Sequence, residues 1–401
     1  MPDSAPSSAR PLIAFQPERQ RRLMAGHPWA YSNEIVMSAE AKALEPGSLV
    51  TLTTAGGEPI GTALFNPKPL ISARMLTREI GVPIDRDFLA GRLARALALR
   101  TQLYPAPFYR LIHAEADGLP GVVIDRFGEV LVVQLNSAGM ARLAEPLLAA
   151  LDDVLAPAAI VLRPDPGARA SEGVPAEAAS VRGRLPELLE LTENGCRFRV
   201  DPLGGQKTGW FYDQRDNRAA VAQLAEGRRV LDLFAYAGGF GVLAAARGAA
   251  EVTLVDRSKP ALALAAASAA LNNVAARCRM VEEDGFPALE RLAGAGETFD
   301  VVIADPPAFV KSRKDLAAGI RAYRKLTRLA AGLVRPGGFL FVASCSHNVE
   351  PAAFAEQVCG GLSRARRSGR ILRAAGAAAD HPVHPFLPES AYLKALLLQL
   401  D

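Results

Sequence analysis

Residues 228–256, RRVLDLFAYAGGFGVLAAARGAAEVTLVD, decide the fold of the second half of the chain. An apolar run is followed by a glycine-containing turn, an apolar helical stretch and a second apolar run that ends at Asp256. Near-continuous apolar strands that alternate with helices are typical of a parallel sheet covered by helices on both faces. The segment therefore predicts a strand, a helix and a second strand of a doubly wound α/β domain.

The same alternation continues through the rest of the sequence. Further strand candidates are RCRMVEED, FDVVIAD, GGFLFVASC and YLKALLLQL, and helical runs separate most of them. Ligands of doubly wound sheets bind outside the carboxyl ends of the strands. The residues at those ends are therefore the candidates for function.

The first three strand ends carry groups that suit a nucleoside. Gly238 and Gly239 follow the first strand and allow close approach of the backbone to a ligand, although a plain tight turn is the alternative. Asp256 ends the second strand and suits the hydroxyls of a ribose, while capping of the next helix is its structural alternative. Asp284 follows the third strand, either as a ligand contact or in a surface loop.

The fourth and fifth strand ends carry Asp305 and Cys345. Two prolines follow Asp305 directly, so the backbone after this carboxylate is stiff. Cys345 lies in the sequence SCS, directly after the fifth strand. A lone cysteine is usually a small buried apolar residue, and this is the prediction for Cys196, Cys278 and Cys359.

The sequence before residue 200 divides into two zones. Residues 1–79 contain short β-like runs separated by turns such as AGGEP and NPKP, which predict a small β-barrel or sandwich. Residues 80–199 contain the helical run DFLAGRLARALALRTQL and the strands GVVIDRFG and VLVVQLN, which predict a compact α+β domain. The stretch at residues 163–180 is expected to be a loop. The α/β domain then covers residues 200–401.

Composition limits the classes of protein that fit. Of the 401 residues, 50% are hydrophobic and 22% charged, as in folded globular proteins. The net charge of +4 is too small to indicate a nucleic-acid partner by itself. The four cysteines show no CxxC spacing, so we expect no disulfide framework, no metal site and a reducing, cytoplasmic location. No apolar stretch is long enough for a membrane span.

Several motifs, in order along the chain, resemble those of class I S-adenosylmethionine-dependent methyltransferases: VLDLFAYAGGFG, VTLVD, EED, DVVIADPPAF and SCS. GQKTGWFYDQR resembles a motif of the bacterial family that methylates carbon 5 of cytosine in 23S rRNA. RRLMAGHPWAYSNEI and YRLIHAEADGLPGVVIDRFG resemble that family's RNA-binding PUA domain and its central domain. The resemblance spans nearly the whole chain. It implies a PUA-like β-barrel, a small central α+β domain and a C-terminal Rossmann-like class I methyltransferase.

The resemblance also implies a cofactor, a substrate and their site. The cofactor is S-adenosylmethionine and the partner is large-subunit rRNA. The residues expected to bind the cofactor are Gln206, Phe211, Asp213, Phe234, Gly238, Gly239, Asp256, Asp284 and Asp305. For the segment at residues 206–213, a linking turn packed by aromatic residues is the structural alternative.

Cytosine chemistry predicts the roles of Cys345 and Asp305. Carbon 5 of cytosine is a poor nucleophile until a thiolate adds at carbon 6, and a nearby acid can protonate the ring nitrogen. We therefore predict that Cys345 is the nucleophile and Asp305 the acid. Some RNA cytosine methyltransferases carry a second cysteine where this chain has Ala308. The base that removes the carbon-5 proton is thus unassigned, with Asp305 or a bound water as candidates.

Basic residues cluster after the prolines. Lys311 and Lys314 lie in the loop, and four more basic residues recur at helical spacing on the next helix: Arg321, Arg324, Lys325 and Arg328. A positive stripe beside the crevice suits phosphate contacts with RNA. A solvated helix face is the alternative.

Three other functions compete with cytosine methylation. A methylase of an exocyclic or ring nitrogen of RNA would leave Cys345 without a role. A non-catalytic RNA-binding factor for ribosome assembly would not need the DPPAF and SCS motifs. A nicotinamide dehydrogenase would leave both Asp305 and Cys345 unexplained. The sequence leaves the oligomeric state open, a homodimer included.

Overall fold

The computed structural model describes residues 10–175 and 177–401, which form two compact units. The first unit runs to Leu185 and includes Pro382–Pro388. The second contains Pro186–His381 and Glu389–Asp401. None of the helices in the described residues combines the length and apolar character needed to cross a membrane.

The N-terminal sheet of the first unit closes on itself. Its strand order is β1-β3-β4-β5-β2. The strands are β1 (Leu12–Ala14), β2 (Trp29–Tyr31), β3 (Ser48–Thr53), β4 (Pro59–Phe65) and β5 (Ile71–Thr77), with the short helices α1 (Arg21–Met24) and α2 (Ala39–Ala43). A bridge between Phe15 and Ile35, which follow the two edge strands, joins the edges. The predicted β-barrel is therefore confirmed.

A second five-stranded sheet follows in the same unit, with the order β10-β9-β8-β7-β6. Its strands are β6 (Phe108–His113), β7 (Val122–Phe127), β8 (Val130–Leu135), β9 (Ala159–Leu162) and β10 (Ser180–Gly183). The helices are α3 (Arg86–Leu103), α4 (Ala138–Arg142), α5 (Ala144–Leu155) and α6 (Pro166–Ser171). The expectation of a loop over residues 163–180 was wrong for α6. Asp165 caps this helix by accepting hydrogen bonds from Gly167 and Ala168.

The second unit begins with a hairpin and continues as a seven-stranded sheet. The hairpin is β11 (Leu189–Glu193) and β12 (Cys196–Val200); the sheet strands are β13 (Arg229–Leu233), β14 (Glu251–Asp256), β15 (Cys278–Glu282), β16 (Phe299–Ala304), β17 (Val334–Ser344), β18 (Gly369–Ala375) and β19 (Lys394–Leu400). Their order is β15-β14-β13-β16-β17-β19-β18, and β19 is antiparallel to both neighbours. The first five strands of this sheet, from β13 to β17, are parallel to one another. The Rossmann-like prediction is confirmed.

Helices cover both faces of this sheet. They are α7 (Arg215–Ala222), α8 (Gly239–Ala246), α9 (Lys259–Leu271), α10 (Gly285–Gly294), α11 (Leu316–Leu333) and α12 (Pro351–Arg364). Alternate strand residues such as Leu231, Val302 and Leu340 share one apolar core with α10, α11 and α12. On the opposite face α7 packs against α8, and α8 packs against α9. Burial on both faces explains why the strands are nearly continuously apolar.

The compact units differ from the predicted division at residues 79 and 199. Leu64 and Leu76 of the barrel belong to the apolar core of the second sheet, so these two parts form one unit. The hairpin packs on α9, where Asn272 and the backbone of Arg197 exchange hydrogen bonds of 2.7 and 3.0 Å. It therefore belongs to the second unit. The three-domain division stays a prediction.

Candidate active site at the carboxyl edge of the seven-stranded sheet

The carboxyl ends of β13, β14, β16 and β17 meet at one edge of the sheet. β13 pairs in parallel with β14 and β16, and β16 pairs in parallel with β17. Asp305 follows β16 directly and Cys345 follows β17, so neighbouring strands bring the carboxyl and the thiol to the same edge. Burial is the main cause that raises the pKa of the Cys345 thiol, and the charge of the nearby Asp305 acts in the same direction.

The loop after β13 has a strained backbone. Phe234 and Tyr236 have φ angles of 61° and 49°, and Gly238 follows at 81°. Non-glycine residues in this left-handed region cost free energy and cluster at functional sites. The Asp256 carboxylate holds the loop, because its Oδ2 accepts a hydrogen bond from the Tyr236 N–H at 2.9 Å. A residue at the end of β14 thus holds the backbone turn that follows β13 at the edge of the sheet.

Asp256 does not cap the next helix. Its Oδ1 accepts from the Ser258 N–H at 2.8 Å, and the Ser258 hydroxyl in turn caps α9 at the Ala261 N–H. The capping alternative for Asp256 is therefore wrong. Each carboxylate oxygen has further lone pairs beyond its one backbone partner, so acceptor capacity for ligand hydroxyls is retained.

Gly239 and Asp284 lie in different surroundings. A Cβ atom at Gly239 would stand 2.6 Å from Nε of the buried Arg218, so close packing on that side chain accounts for this glycine. Asp284 is exposed at the start of α10, and its side chain makes no capping hydrogen bond. The Phe234 ring packs against the next residue, Gly285, where an added Cβ would stand 2.4 Å from Cζ. Phe234 and Asp284 are thus brought together, while Gly239 faces the interior.

The segment that precedes α7 packs against the loop after β13. The Gln206 N–H donates to the Tyr236 hydroxyl at 3.0 Å, and this hydroxyl donates to the Gly209 carbonyl at 3.1 Å. The Phe211 ring meets the Tyr236 ring edge to face with centroids 5.4 Å apart. Asp213 is 3% exposed and its Oδ2 accepts a hydrogen bond from the Tyr392 hydroxyl. This segment therefore brings three of the predicted site residues, Gln206, Phe211 and Asp213, to the loop after β13 and to Tyr392.

The Asp305 carboxyl is a weaker acid than an ordinary aspartate, because its pKa is raised. Burial raises its pKa to about 7, and the neighbouring Asp213 acts in the same direction. Arg218, Lys207 and a hydrogen bond from Gln214 oppose the rise. A carboxyl with such a pKa exchanges protons near neutral pH, which is the range that general acid–base catalysis requires.

The turn after β17 fixes Cys345. Ser346 is fully buried and its Oγ accepts a hydrogen bond from the Val310 N–H at 3.2 Å. The same Oγ lies 2.8 Å from the hydroxyl of Tyr323 on α11. The segment after the two prolines is thus tied to the cysteine turn. Burial raises the pKa of the Cys345 thiol, while the positive charge of Lys207 lowers it.

Lys207 is a site residue that the sequence analysis missed. Its ammonium lies 4.6 Å from the centre of the Phe211 ring and acts on both Asp305 and Cys345. Within the motif GQKTGWFYDQR, this lysine could have been recognised as a cation close to the predicted Gln206 and Phe211. Among the other cysteines, the burial prediction was right for Cys196, while Cys278 is only partly buried and Cys359, on α12, is exposed, so the prediction was wrong for Cys359.

The predicted basic residues do not form one uniform surface. Lys311, Lys314 and Arg321 are exposed. Two members of the α11 stripe interact with neighbouring helices: the Arg324 Nε donates to Gln357 of α12 at 2.9 Å, and the Lys325 ammonium lies 2.9 Å from Glu290 of α10. Arg328 is partly buried.

Comparisons with known proteins identify the class. A family model of PUA-like domains matches residues 13–78, and a model of S-adenosylmethionine-dependent methyltransferases matches residues 174–399. The protein is thus an S-adenosylmethionine-dependent methyltransferase, and the predicted cofactor is confirmed. Ribosomal RNA large subunit methyltransferase I of Cronobacter sakazakii is 38% identical over 94% of this chain and 96% of its own length. Its counterpart in Shewanella amazonensis is 37% identical over 97% and 99%. The chain belongs to the ribosomal RNA large subunit methyltransferase I family.

Solved structures agree on the fold. A Streptococcus mutans protein described as an S-adenosylmethionine-dependent methyltransferase matches with a TM-score of 0.81 at 22% identity, over 97% of this chain and 100% of that one. A methyltransferase structure complexed with SAH matches with a TM-score of 0.82 at 21% identity, over 98% and 100%. Both likenesses extend across nearly the full length, so the fold is shared.

Proposed function

We propose that this enzyme methylates carbon 5 of a cytosine in large-subunit rRNA, with Cys345 as the nucleophile. The observation that carries the proposal is the placement of Cys345 and Asp305 at the ends of the adjacent strands β17 and β16. The relatives named above supply the class of substrate. A partly buried thiol beside a carboxyl that titrates near neutrality is the pair that cytosine chemistry requires.

We place the cofactor along the strand ends from β13 to β16. The strained loop at Phe234 and Gly238 provides the close backbone approach, and Asp256 provides acceptors for the ribose hydroxyls. The remaining proposed contacts are Gln206, Phe211, Asp213, Asp284, Asp305 and the backbone of Gly239, which begins α8 although its Cα faces the interior. S-adenosylmethionine supplies an electrophilic methyl group on a sulfonium sulfur.

The protein residues act on the cytosine ring. The Cys345 thiolate forms a bond to carbon 6, and the displaced π electrons make carbon 5 nucleophilic while protonated Asp305 donates to the ring nitrogen. Carbon 5 then takes the methyl group and carries both a methyl and a hydrogen. Removal of that hydrogen as a proton returns its electron pair to the ring, and the bond between carbon 6 and sulfur breaks with its electrons going to the Cys345 sulfur. The ring nitrogen then releases the proton that it received. Ala308 supplies no second thiol, so the Asp305 carboxylate or a bound water takes this proton.

The surroundings of Phe309 argue against methylation of an exocyclic nitrogen. Enzymes of that kind stack the target base on an aromatic residue directly after the Pro-Pro pair, where this chain has Ala308. Phe309 is one residue further, and its ring packs between Phe286 at 5.9 Å and Tyr323 at 4.8 Å. The partly buried ring thus packs against the apolar core rather than standing free as a stacking platform.

Contacts with RNA phosphates are proposed for the loop and for α11. The exposed Lys311, Lys314 and Arg321 are available to phosphates directly. Arg324, Lys325 and Arg328 complete the proposed surface. Lys325 would exchange its exposed ion pair with Glu290 for a phosphate, because surface ion pairs contribute little free energy.

The test uses Cys345→Ala with Cys359→Ala as the matched control. Cys345→Ala should abolish methyl transfer to rRNA and retain S-adenosylmethionine binding, whereas the exposed Cys359 should be dispensable. RNA with 5-fluorocytosine at the target should trap a covalent adduct on the wild-type enzyme, because fluorine cannot leave as a proton. Activity of Cys345→Ala within about tenfold of wild type, a loss of about 1.4 kcal/mol or less, would contradict the proposal, as would absence of the adduct.

A further inference from the structure

Lys394 is a buried cation in an otherwise apolar strand. It begins β19, stands opposite Ser344 in the antiparallel register with β17, and is 6% exposed. The residues after it in the strand are ALLLQL. A lysine at such a position is unusual, because burial of a charged ammonium costs several kcal/mol unless it is compensated.

The ammonium of Lys394 is compensated by carbonyl groups. Its Nζ donates to the Ser346 carbonyl at 2.6 Å and to the Tyr392 carbonyl at 2.8 Å. Within the described part of the chain it forms no ion pair with a carboxylate. Its positive charge is therefore held without a close ion pair and acts on the groups around the cysteine turn.

We propose that Lys394 is the positioning residue of Cys345: it fixes the turn that carries the thiol and stabilises the thiolate with a buried positive charge. This inference rests on the proposed nucleophilic role of Cys345.

The mechanical part of this role follows from the contacts of Ser346. Its carbonyl accepts from Lys394, its Oγ meets Tyr323 and the Val310 N–H, and its own N–H donates to the Ser344 hydroxyl at 3.3 Å. Every polar atom of Ser346, the residue after the cysteine, thus takes part in a hydrogen bond. Such a turn limits the positions that the thiol can take, which favours attack at a fixed carbon atom.

The electrostatic part follows from the reciprocity of charge interactions. Burial lowers the pKa of Lys394, whereas the Cys345 thiolate and the Glu350 carboxylate raise it. The interaction between the thiolate and the ammonium must in turn favour the thiolate when the ammonium is present. The other charged or titratable groups around the thiol come from the segment before α7, the end of β16, α11 and the cysteine turn: Lys207, Asp213, Asp305, Tyr323 and His347. Both carboxyl groups oppose the thiolate, so cations are needed to offset them.

Thiol alkylation measures this effect without RNA. The wild type, Lys394→Met and Lys394→Arg would be treated with iodoacetamide from pH 6 to pH 10, and the modification of Cys345 followed by mass spectrometry. Cleavage after Glu356 separates Cys345 from the exposed Cys359, which serves as the internal reference thiol. Thermal unfolding of each variant establishes that it is folded.

Removal of a cation raises the pKa of a thiol, so the alkylation midpoint of Cys345 in Lys394→Met should move up by about one pH unit. Below the midpoint the reaction should slow by about tenfold. Lys394→Arg keeps the charge and should move the midpoint less, and Cys359 should not change. Methyl transfer by Lys394→Met should fall at neutral pH and recover in part as the pH rises.

Two results would overturn the inference. One is an alkylation profile of Cys345 in Lys394→Met that superimposes on that of the wild type. The other is an alkylation rate of Cys345 that is reduced by the same factor at every pH, which is the result expected of a purely structural role. Because no RNA is present, these results are independent of the fluorocytosine adduct, which tests the nucleophile itself.

Discussion

Asp232 makes the stability of the second unit depend on pH. Its carboxyl is 1% exposed, and its Oδ2 accepts a hydrogen bond from the Gly241 N–H at 2.8 Å. Burial raises its pKa from 3.8 to about 7, and the nearby Asp305 and Asp256 also raise it. In the unfolded chain the group titrates at its ordinary value, so between these two values the folded state binds more protons than the unfolded state.

The sign of the effect follows from this proton difference. The contribution of Asp232 to stability is fully present below about pH 4 and is lost as the pH rises to about 7. A rise of about three pKa units corresponds to about 4 kcal/mol as an upper limit. Asp232→Asn keeps an acceptor for Gly241 and removes the charge. The variant should match the wild type near pH 4 and exceed its stability above pH 7 by about 2 to 4 kcal/mol.

Tryptophan fluorescence isolates the second unit in this experiment. The chain has two tryptophans, Trp29 in the first unit and Trp210, 1% exposed, in the second. In a Trp29→Phe background, urea unfolding followed by fluorescence therefore reports on Trp210 alone. The free energies of unfolding with and without Asp232→Asn would be compared from pH 4 to pH 8. A constant difference between the two proteins across this range would refute the reasoning.

Two further predictions concern the ligands. Asp256→Ala should weaken S-adenosylmethionine binding by about 1 to 3 kcal/mol, because ribose hydroxyls lose their acceptor; unchanged affinity in calorimetry would remove Asp256 from the cofactor site. Replacing Arg321 and Arg328 by glutamine should reduce the slope of log affinity against log salt for RNA by about one to two, because two phosphate contacts are lost. Replacement of the exposed Arg279 and Arg366, which are not among the proposed RNA contacts, is the control, and an equal effect there would show that the α11 contacts are not specific.

The sequence predicts those parts of the fold where strands are buried on both faces. β13, β14, β16 and β17 are apolar runs that end in polar groups, and their pattern is visible without any partner strand. β18 escaped prediction, because every residue from Gly369 to Ala374 is exposed and the strand GRILRAA has neither alternation nor an apolar run. Its pairing with β19 alone defines it.

The candidate site was predictable where strand ends carry its residues. Asp305 and Cys345 follow adjacent strands, so topology alone brings them to one edge. The contribution of Lys394 was not predictable in this way, because its ammonium acts on a turn 48 residues earlier in the chain. A single lysine at the start of ALLLQL was the available signal, but its partner is a backbone carbonyl, which leaves no trace in the sequence.

The sheet order has a consequence for the sequence of folding events. β19 is made after β18 but lies between β17 and β18. During synthesis β18 therefore has no partner, and β17 has a free edge, until the residues of β19 have left the ribosome. A nascent chain at that stage exposes two strands with unpaired edges, which are prone to intermolecular pairing. Translation pauses between codons 375 and 394 should thus promote aggregation, and the same delay keeps the cysteine turn without Lys394 until the sheet is complete.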